Sequence, residues 1–171
     1  MKDAAINLDE AAVVALGGNL ALQGRPIQDV LEDALRRLPG AGLEVLNRSR
    51  WWRSAAWPDP AEPPYLNGVA LVATDLDAHG VLRALLEVEE SFGRRRGAAN
   101  ASRTLDLDLI AYGRKVIDEP NLVLPHPRAA DRRFVMGPLA EIAPHWRHPV
   151  SGETAAALAS HAAVGRDAAP L

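Results

Sequence analysis

Asp106 and Asp108 stand in the run Arg103-Thr104-Leu105-Asp106-Leu107-Asp108-Leu109, where leucine and acid alternate. Strand side chains alternate faces, so Leu105, Leu107 and Leu109 would enter a core while both carboxylates leave from the other side. Their Cα atoms would lie about 6.5 Å apart, two strand rises. Carboxylates that close repel each other unless something positive lies between them. A hard divalent cation such as Mg²⁺, which prefers oxygen ligands, suits that gap. A half-buried strand with a solvated acidic face has the same pattern, so the surrounding residues must decide.

Basic residues border the pair. Arg94-Arg95-Arg96 and Arg103 flank the small residues Gly97-Ala98-Ala99-Asn100-Ala101-Ser102, which describes a loop able to close over an anion. Guanidinium groups offer forked donors to phosphates and keep their charge. A solvated charge run at a helix C-terminus explains Arg95 equally well. A second set, His126, Arg128, Arg132 and Arg133, lies in Leu-Pro-His-Pro-Arg and the residues after it. Arginines beside two metal-binding aspartates would complete a polyphosphate site, with metal bridging the phosphate oxygens and cations neutralising the leaving group.

Trp51, Trp52, Tyr65, Asn67 and Phe134 form a third set. An asparagine amide presents a donor beside an acceptor, matching the amide edge of a heterocycle, and aromatic rings can stack on its faces. Core packing accounts for Trp51; a buried Asn67 amide would need a partner. His145 and His148 lack a third metal ligand. No nucleophile elbow, phosphate-binding glycine loop or dinucleotide fingerprint occurs.

These groups need elements to hold them. Residues 1–11 read as a loose leader. Ala12–Leu16 is an apolar strand closed by a turn at Gly17-Gly18-Asn19. A helix follows from Pro26, with Ile27, Val30, Leu31, Ala34, Leu35 and Leu38 on its apolar stripe and Pro39-Gly40 as its stop. Leu43–Ser54 and Tyr65–Thr74 read as strands, joined by a proline-rich surface loop. Asp77 caps a second helix whose stripe includes Val81, Leu85 and Phe92. Glu89 falls on that stripe, and a carboxylate there requires an arginine or a polar pocket. The acidic strand comes next, then a turn at Gly113, a short strand around Val116, a basic proline-rich stretch and an alanine-rich helix within Ser151–Ala163. The order is the βαββαβ of an α+β, ferredoxin-like sandwich with a C-terminal extension, a single domain over 12–171.

Length and composition agree with that. The 171 residues suit one domain; 48% are hydrophobic and 24% charged, an ordinary globular balance. A net charge of −3 argues against a nucleic-acid or membrane-surface binder. The absence of cysteine removes disulfides and thiolate chemistry and fits a reducing compartment. With no signal-like start and no membrane-length apolar run, the expectation is a cytoplasmic protein.

Taken in order, Ala15-Leu16-Gly17-Gly18-Asn19-Leu20, Tyr65-Leu66-Asn67, the Arg103–Leu109 run, Leu124-Pro125-His126-Pro127-Arg128 and Arg132-Arg133-Phe134-Val135-Met136 resemble the 6-hydroxymethyl-7,8-dihydropterin pyrophosphokinase family of the folate pathway. The resemblance spans about Val13 to Pro149. It implies diphosphoryl transfer from ATP to the pterin hydroxymethyl group with release of AMP, with two Mg²⁺ ions bound; a monomer is the separate expectation. It further implies that Asp106 and Asp108 hold metal, that Trp52, Ser54, Tyr65, Asn67 and Phe134 bind the pterin, and that Glu89, Arg96, His126 and Arg132 serve ATP. Arg94 and Arg103 match the loop arginines that engage the phosphates. The family usually has Trp-Gly-Pro where this chain has Asn100-Ala101-Ser102, and Thr-x-Pro where it has Ser54-Ala55-Ala56. Those departures leave a second expectation, a pterin- or nucleotide-binding homologue with altered specificity or no catalysis. An RNA-binding module on the same sheet is a third, opposed by the acidic pair and the negative charge.

Overall fold

A computed structural model describes residues 6–22, 24–56, 59, 61–93 and 105–171. Arg94, Arg95, Arg96, Arg103, the intervening small residues and Trp57 lie outside the described residues.

The sheet is built on β1 (Ala12–Gly18), which pairs antiparallel with β4 (Tyr65–Ala73) on one side and β5 (Asp106–Tyr112) on the other. Beyond β4 lie β2 (Glu44–Arg48) and β3 (Trp52–Ser54), and β3 carries a short C-terminal strand on its outer edge. Helices α1 (Ile27–Arg37) and α2 (Ala78–Ser91) follow β1 and β4. This is the antiparallel order of a ferredoxin-like α+β fold.

The two faces of the sheet carry separate cores. Val14, Leu16, Ala70, Val72, Leu105 and Leu107 pack under α1 and α2. Val13, Val69, Leu71 and Ile110 pack under α3 (Arg133–Ile142) and α4 (Ala155–His161). Strand alternation divides these sets, so Asp106, Asp108 and Asn67 leave the sheet on the α3 side. Burying the leucines of β5 at about 25 cal/mol per Å² fixes which face the carboxylates take, because a one-residue slip would exchange the two sets.

Four sequence expectations change in detail. Gly17 and Gly18 belong to β1 rather than to a turn, because both still pair with β4, at Asn67 and Leu66. The single strand expected over Leu43–Ser54 is broken at Ser49, whose Oγ accepts the N–H of Val69 and donates to the carbonyl of Arg50; a side chain thus replaces part of the ladder. The strand expected around Val116 begins one residue later, as β6 (Ile117–Glu119), and forms a hairpin with β7 (Leu122–Leu124). The leader is seated from Ile6 onward, with Ile6 and Leu8 against the α3–α4 core.

Other expectations hold. Asp77 caps α2 by accepting the N–H of Gly80 at 2.8 Å, and Trp51 is a core residue whose indole N–H bonds Glu32 at 2.6 Å. Among the described residues, no helix is long and apolar enough to cross a membrane.

Candidate functional site

Strand register brings the first and third residue sets into one line. Asp106 pairs with Gly17, Gly17 with Asn67, and Asn67 with Trp52. Directly paired residues share a face, so these four positions cross β5, β1, β4 and β3 on the α3 side. The Cα atoms of Asp106 and Asn67 are therefore about 10 Å apart, two strand spacings. Two further rows flank it on the same face: Asp108 pairs with Ala15, and Ala15 with Val69, on one side, and Ser54 pairs with Tyr65 on the other. Asp106 and Asp108 are both half-buried, as are Tyr65 and Asn67.

The middle of the line is open because Gly17 has no side chain. A Cβ there would stand 2.2 Å from Asn67 Oδ1, so the amide of Asn67 leans over the glycine toward the carboxylates. At the far end the Trp52 ring lies against Gly137 of α3, where a Cβ would come within 2.5 Å of the ring. Trp52 Nε1 donates to Glu141 Oε1 at 3.0 Å, and the Arg133 guanidinium sits 5.8 Å from the ring centroid. Burial pushes the Glu141 carboxyl up, but the Arg50 N–H, the Trp52 indole and the Arg50 charge outweigh it, and Glu141 is held below the usual carboxylate range. Phe134 lies one turn before Gly137 on α3, and Arg132 is 5.7 Å from its ring centroid.

Glu89 stands behind the carboxylate strand. It is 2% exposed, and its Oε2 accepts the N–H of Leu107 at 2.7 Å. That amide lies between the two aspartates on the sheet edge, away from β1. The polar partner required of an acid on the apolar stripe of α2 thus includes the backbone of β5. Glu89 holds the strand from which both aspartates project.

His126 flanks the same strand, with its N–H on the carbonyl of Ile110 at 2.8 Å. Its Nδ1 accepts the N–H of Arg128 at 3.2 Å, so the neutral ring carries its proton on Nε2 and is a donor there. Burial chiefly, then the Arg132 and Arg128 charges, hold its pKa below the ordinary histidine value, with Asp106 opposing. Arg132 therefore neighbours both His126 and Phe134. Arg133 leaves the basic set. Its Nε and one terminal nitrogen donate to the carbonyls of Ala168 and Ala159, both at 3.1 Å. His148 serves a turn, accepting the N–H groups of Val150 and Ser151.

By its local sequence Asn19 is expected in a turn. It is buried, with Nδ2 on the carbonyl of Pro63 at 3.3 Å, and its Oδ1 has no hydrogen-bond partner among the described residues. A buried acceptor left unsatisfied is uncommon in a native interior. No sequence pattern distinguishes it, because Gly-Gly-Asn also describes an ordinary turn.

The model of the 7,8-dihydro-6-hydroxymethylpterin-pyrophosphokinase family matches residues 13–144. The chain belongs to that family. A 2-amino-4-hydroxy-6-hydroxymethyldihydropteridine pyrophosphokinase of Synechocystis is 44% identical over 144 residues, covering 84% of this chain and 71% of the relative. The protein of the same name from Pseudomonas aeruginosa is 40% identical over 136 residues, covering 80% and 82%. Among solved structures, the Plasmodium falciparum HPPK-DHPS wild type with STZ-DHP aligns with a TM-score of 0.68 at 14% identity, which shows the fold. This chain spans 42% of that longer one.

Whether these residues suit a divalent metal ion rests on the chemistry of their donor set. Among the described residues no group of three or more His, Cys, Asp or Glu side chains could hold a metal ion. Asp106 and Asp108 offer a pair of carboxylates on one face, paired across the ladder with the small residues Gly17 and Ala15. Mg²⁺ is commonly bound by one or two carboxylates, with substrate phosphates and water completing its shell. The pair fits that requirement and would suit an all-protein cage poorly.

Proposed function

We propose that this chain transfers the terminal diphosphate of ATP to the hydroxymethyl oxygen of 6-hydroxymethyl-7,8-dihydropterin, the pyrophosphokinase step of folate biosynthesis. The observation that carries the reading is the line Asp106–Gly17–Asn67–Trp52. It sets the acid Asp106 and an amide with an aromatic neighbour about 10 Å apart across a gap kept clear by glycine, with Asp108 in the adjoining row.

The substrate hydroxyl oxygen forms a bond to the β-phosphorus while the bond to the bridging α–β oxygen breaks. AMP leaves, and the hydroxyl proton is lost to solvent. Asn67 pairs with the amide edge of the pterin, Phe134 and Trp52 supply its aromatic walls, and Ser54 and Tyr65 close the outer end. Asp106 and Asp108 would hold two Mg²⁺ ions, which would supply neutralisation of the phosphate charge. His126, through Nε2–H, and Arg132 donate to the triphosphate, joined by Arg96; Glu89 fixes β5 beneath the nucleotide. Arg94 and Arg103 engage the phosphates. No side chain is required as a general base, since positioning and charge neutralisation carry most of such a reaction.

We read the enzyme as a monomer acting on two small molecules in the cytoplasm, without a nucleic-acid or membrane partner. Its negative net charge and lack of cysteine support that. The test is AMP release from ATP, Mg²⁺ and the reduced pterin by wild type, Asp106→Ala and Asp108→Ala. Wild type releases AMP and neither variant does, while both keep the native circular dichroism spectrum. Near-normal AMP release by either variant removes the metal assignment.

A further inference from the structure

The family match ends at residue 144, yet the segment after α4 returns to the pterin-side residues. Val164 exchanges backbone hydrogen bonds with Asp131 and Arg133. Gly165, at φ +72, lies against the Phe134 ring so closely that a Cβ would come within 2.6 Å of it. The Ala168 carbonyl accepts from Arg133 Nε, the guanidinium that faces Trp52. The final strand, β8 (Ala169–Pro170), pairs with Arg53 and Trp52.

One tie in this segment reaches the chain where it leaves β3. Ala55 follows the last ladder residue, Ser54, and its N–H donates to Asp167 Oδ2 at 2.7 Å. Hydrogen bonds to a carboxylate are short and stronger than neutral ones. The tie borders an open cleft of about 720 Å³ lined by Arg53, Ser54, Ala55, Glu62, Asp167 and Leu171.

We propose that Asp167 is a positioning residue for the pterin wall, fixing the exit from β3 so that Ser54 and Tyr65 are set before the substrate arrives. The tail beyond the family match thereby tunes pterin affinity and leaves the phosphate side alone. The proposal rests on the pyrophosphokinase reading. Asp167 is exposed, so its replacement leaves both cores whole. An asparagine there keeps an oxygen able to accept from Ala55, whereas an alanine does not.

The test is calorimetric titration of 6-hydroxymethylpterin into the full chain with Mg²⁺ and a non-hydrolysable ATP analogue, comparing wild type, Asp167→Ala and Asp167→Asn. Loss of one such hydrogen bond predicts a pterin Kd about five-fold weaker in Asp167→Ala. Asp167→Asn stays within twofold of wild type, and the affinity for the nucleotide analogue is unchanged in both. A lowered melting temperature with unaltered pterin affinity would mark a merely structural contact and overturn the proposal. An equal loss of nucleotide affinity, or no rescue by asparagine, overturns it as well. Wild type that binds pterin but makes no AMP defeats the pyrophosphokinase reading while leaving this comparison decisive. Wild type that binds no pterin defeats both.

Discussion

Gly17→Ala is the sharpest perturbation of the line across the sheet, because it adds one methyl group and removes nothing. The new Cβ would stand 2.2 Å from Asn67 Oδ1 and 3.3 Å from its Cγ, with the Leu66 carbonyl oxygen at 3.4 Å. The backbone is already at ordinary contact, so the Asn67 side chain must give way by about 1 Å. A misplacement of about 1 Å costs on the order of a hundredfold in a site that works by alignment. Loss of hydrogen bonds between Asn67 and the pterin gives a similar figure, about 1–3 kcal/mol. The strand itself does not suffer, since replacing glycine inside a strand recovers roughly 0.5–1 kcal/mol of backbone entropy. The expected result is a pterin Kd weakened about 10- to 100-fold, with unchanged affinity for a nucleotide analogue and a native far-ultraviolet spectrum. Calorimetric titration and circular dichroism read the three quantities. A pterin Kd within twofold of wild type would refute the idea that Gly17 keeps the gap clear and that Asn67 reads the pterin.

Three further outcomes follow from the same geometry. Glu89→Ala leaves the Leu107 N–H without its buried acceptor and should lower the unfolding free energy by about 1–3 kcal/mol in urea titrations, with a fall in AMP formation as β5 loosens; an unchanged midpoint and rate would mean that Glu89 supports neither. Ser49→Ala removes the hydroxyl that satisfies Val69 N–H at the break between β2 and β3. It should cost a similar amount of stability while the KM values for ATP and pterin stay put, and a shifted pterin KM would show that the break is part of the site. His126 has a folded pKa below its unfolded value, so the unfolded chain takes up the proton first as pH falls. Its contribution is fully present above the unfolded value of about 6.5 and is lost as pH drops from there through the lowered folded value. Urea midpoints between pH 7.5 and 5 should therefore fall less steeply in His126→Asn than in wild type; parallel curves would contradict the burial of a neutral ring.

The parts of the fold that were legible in the sequence are those where local pattern and tertiary need agree. Alternation from Leu105 to Leu109 specified β5 and its two faces, because only one register buries the leucines. The stripes of α1 and α2 and the Asp77 cap were readable for the same reason. The break at Ser49 was not, since it depends on a side chain of one strand bonding the backbone of another. Nor was β8, a two-residue strand containing proline that exists only because β3 offers it an edge. At the site, residue types single out Asp106, Asp108, Asn67 and Trp52 as candidates, but do not reveal that one row of strand pairing joins three of them through Gly17. A glycine read as a turn former proved to be the clear space between acids and amide. Arg133 shows the converse, since its charge suggested a phosphate contact and tail carbonyls claim it.

Transfer of a diphosphate, rather than of one phosphoryl group, is the central chemical claim, and the fate of the β-phosphorus decides it. Wild-type protein is incubated with Mg²⁺, the reduced hydroxymethylpterin and ATP labelled at the β position, and the products are separated by chromatography. The account predicts that the label leaves with the pterin and that unlabelled AMP appears in equal amount. Label retained in ADP, or remaining in ATP while the pterin is bound, would contradict it.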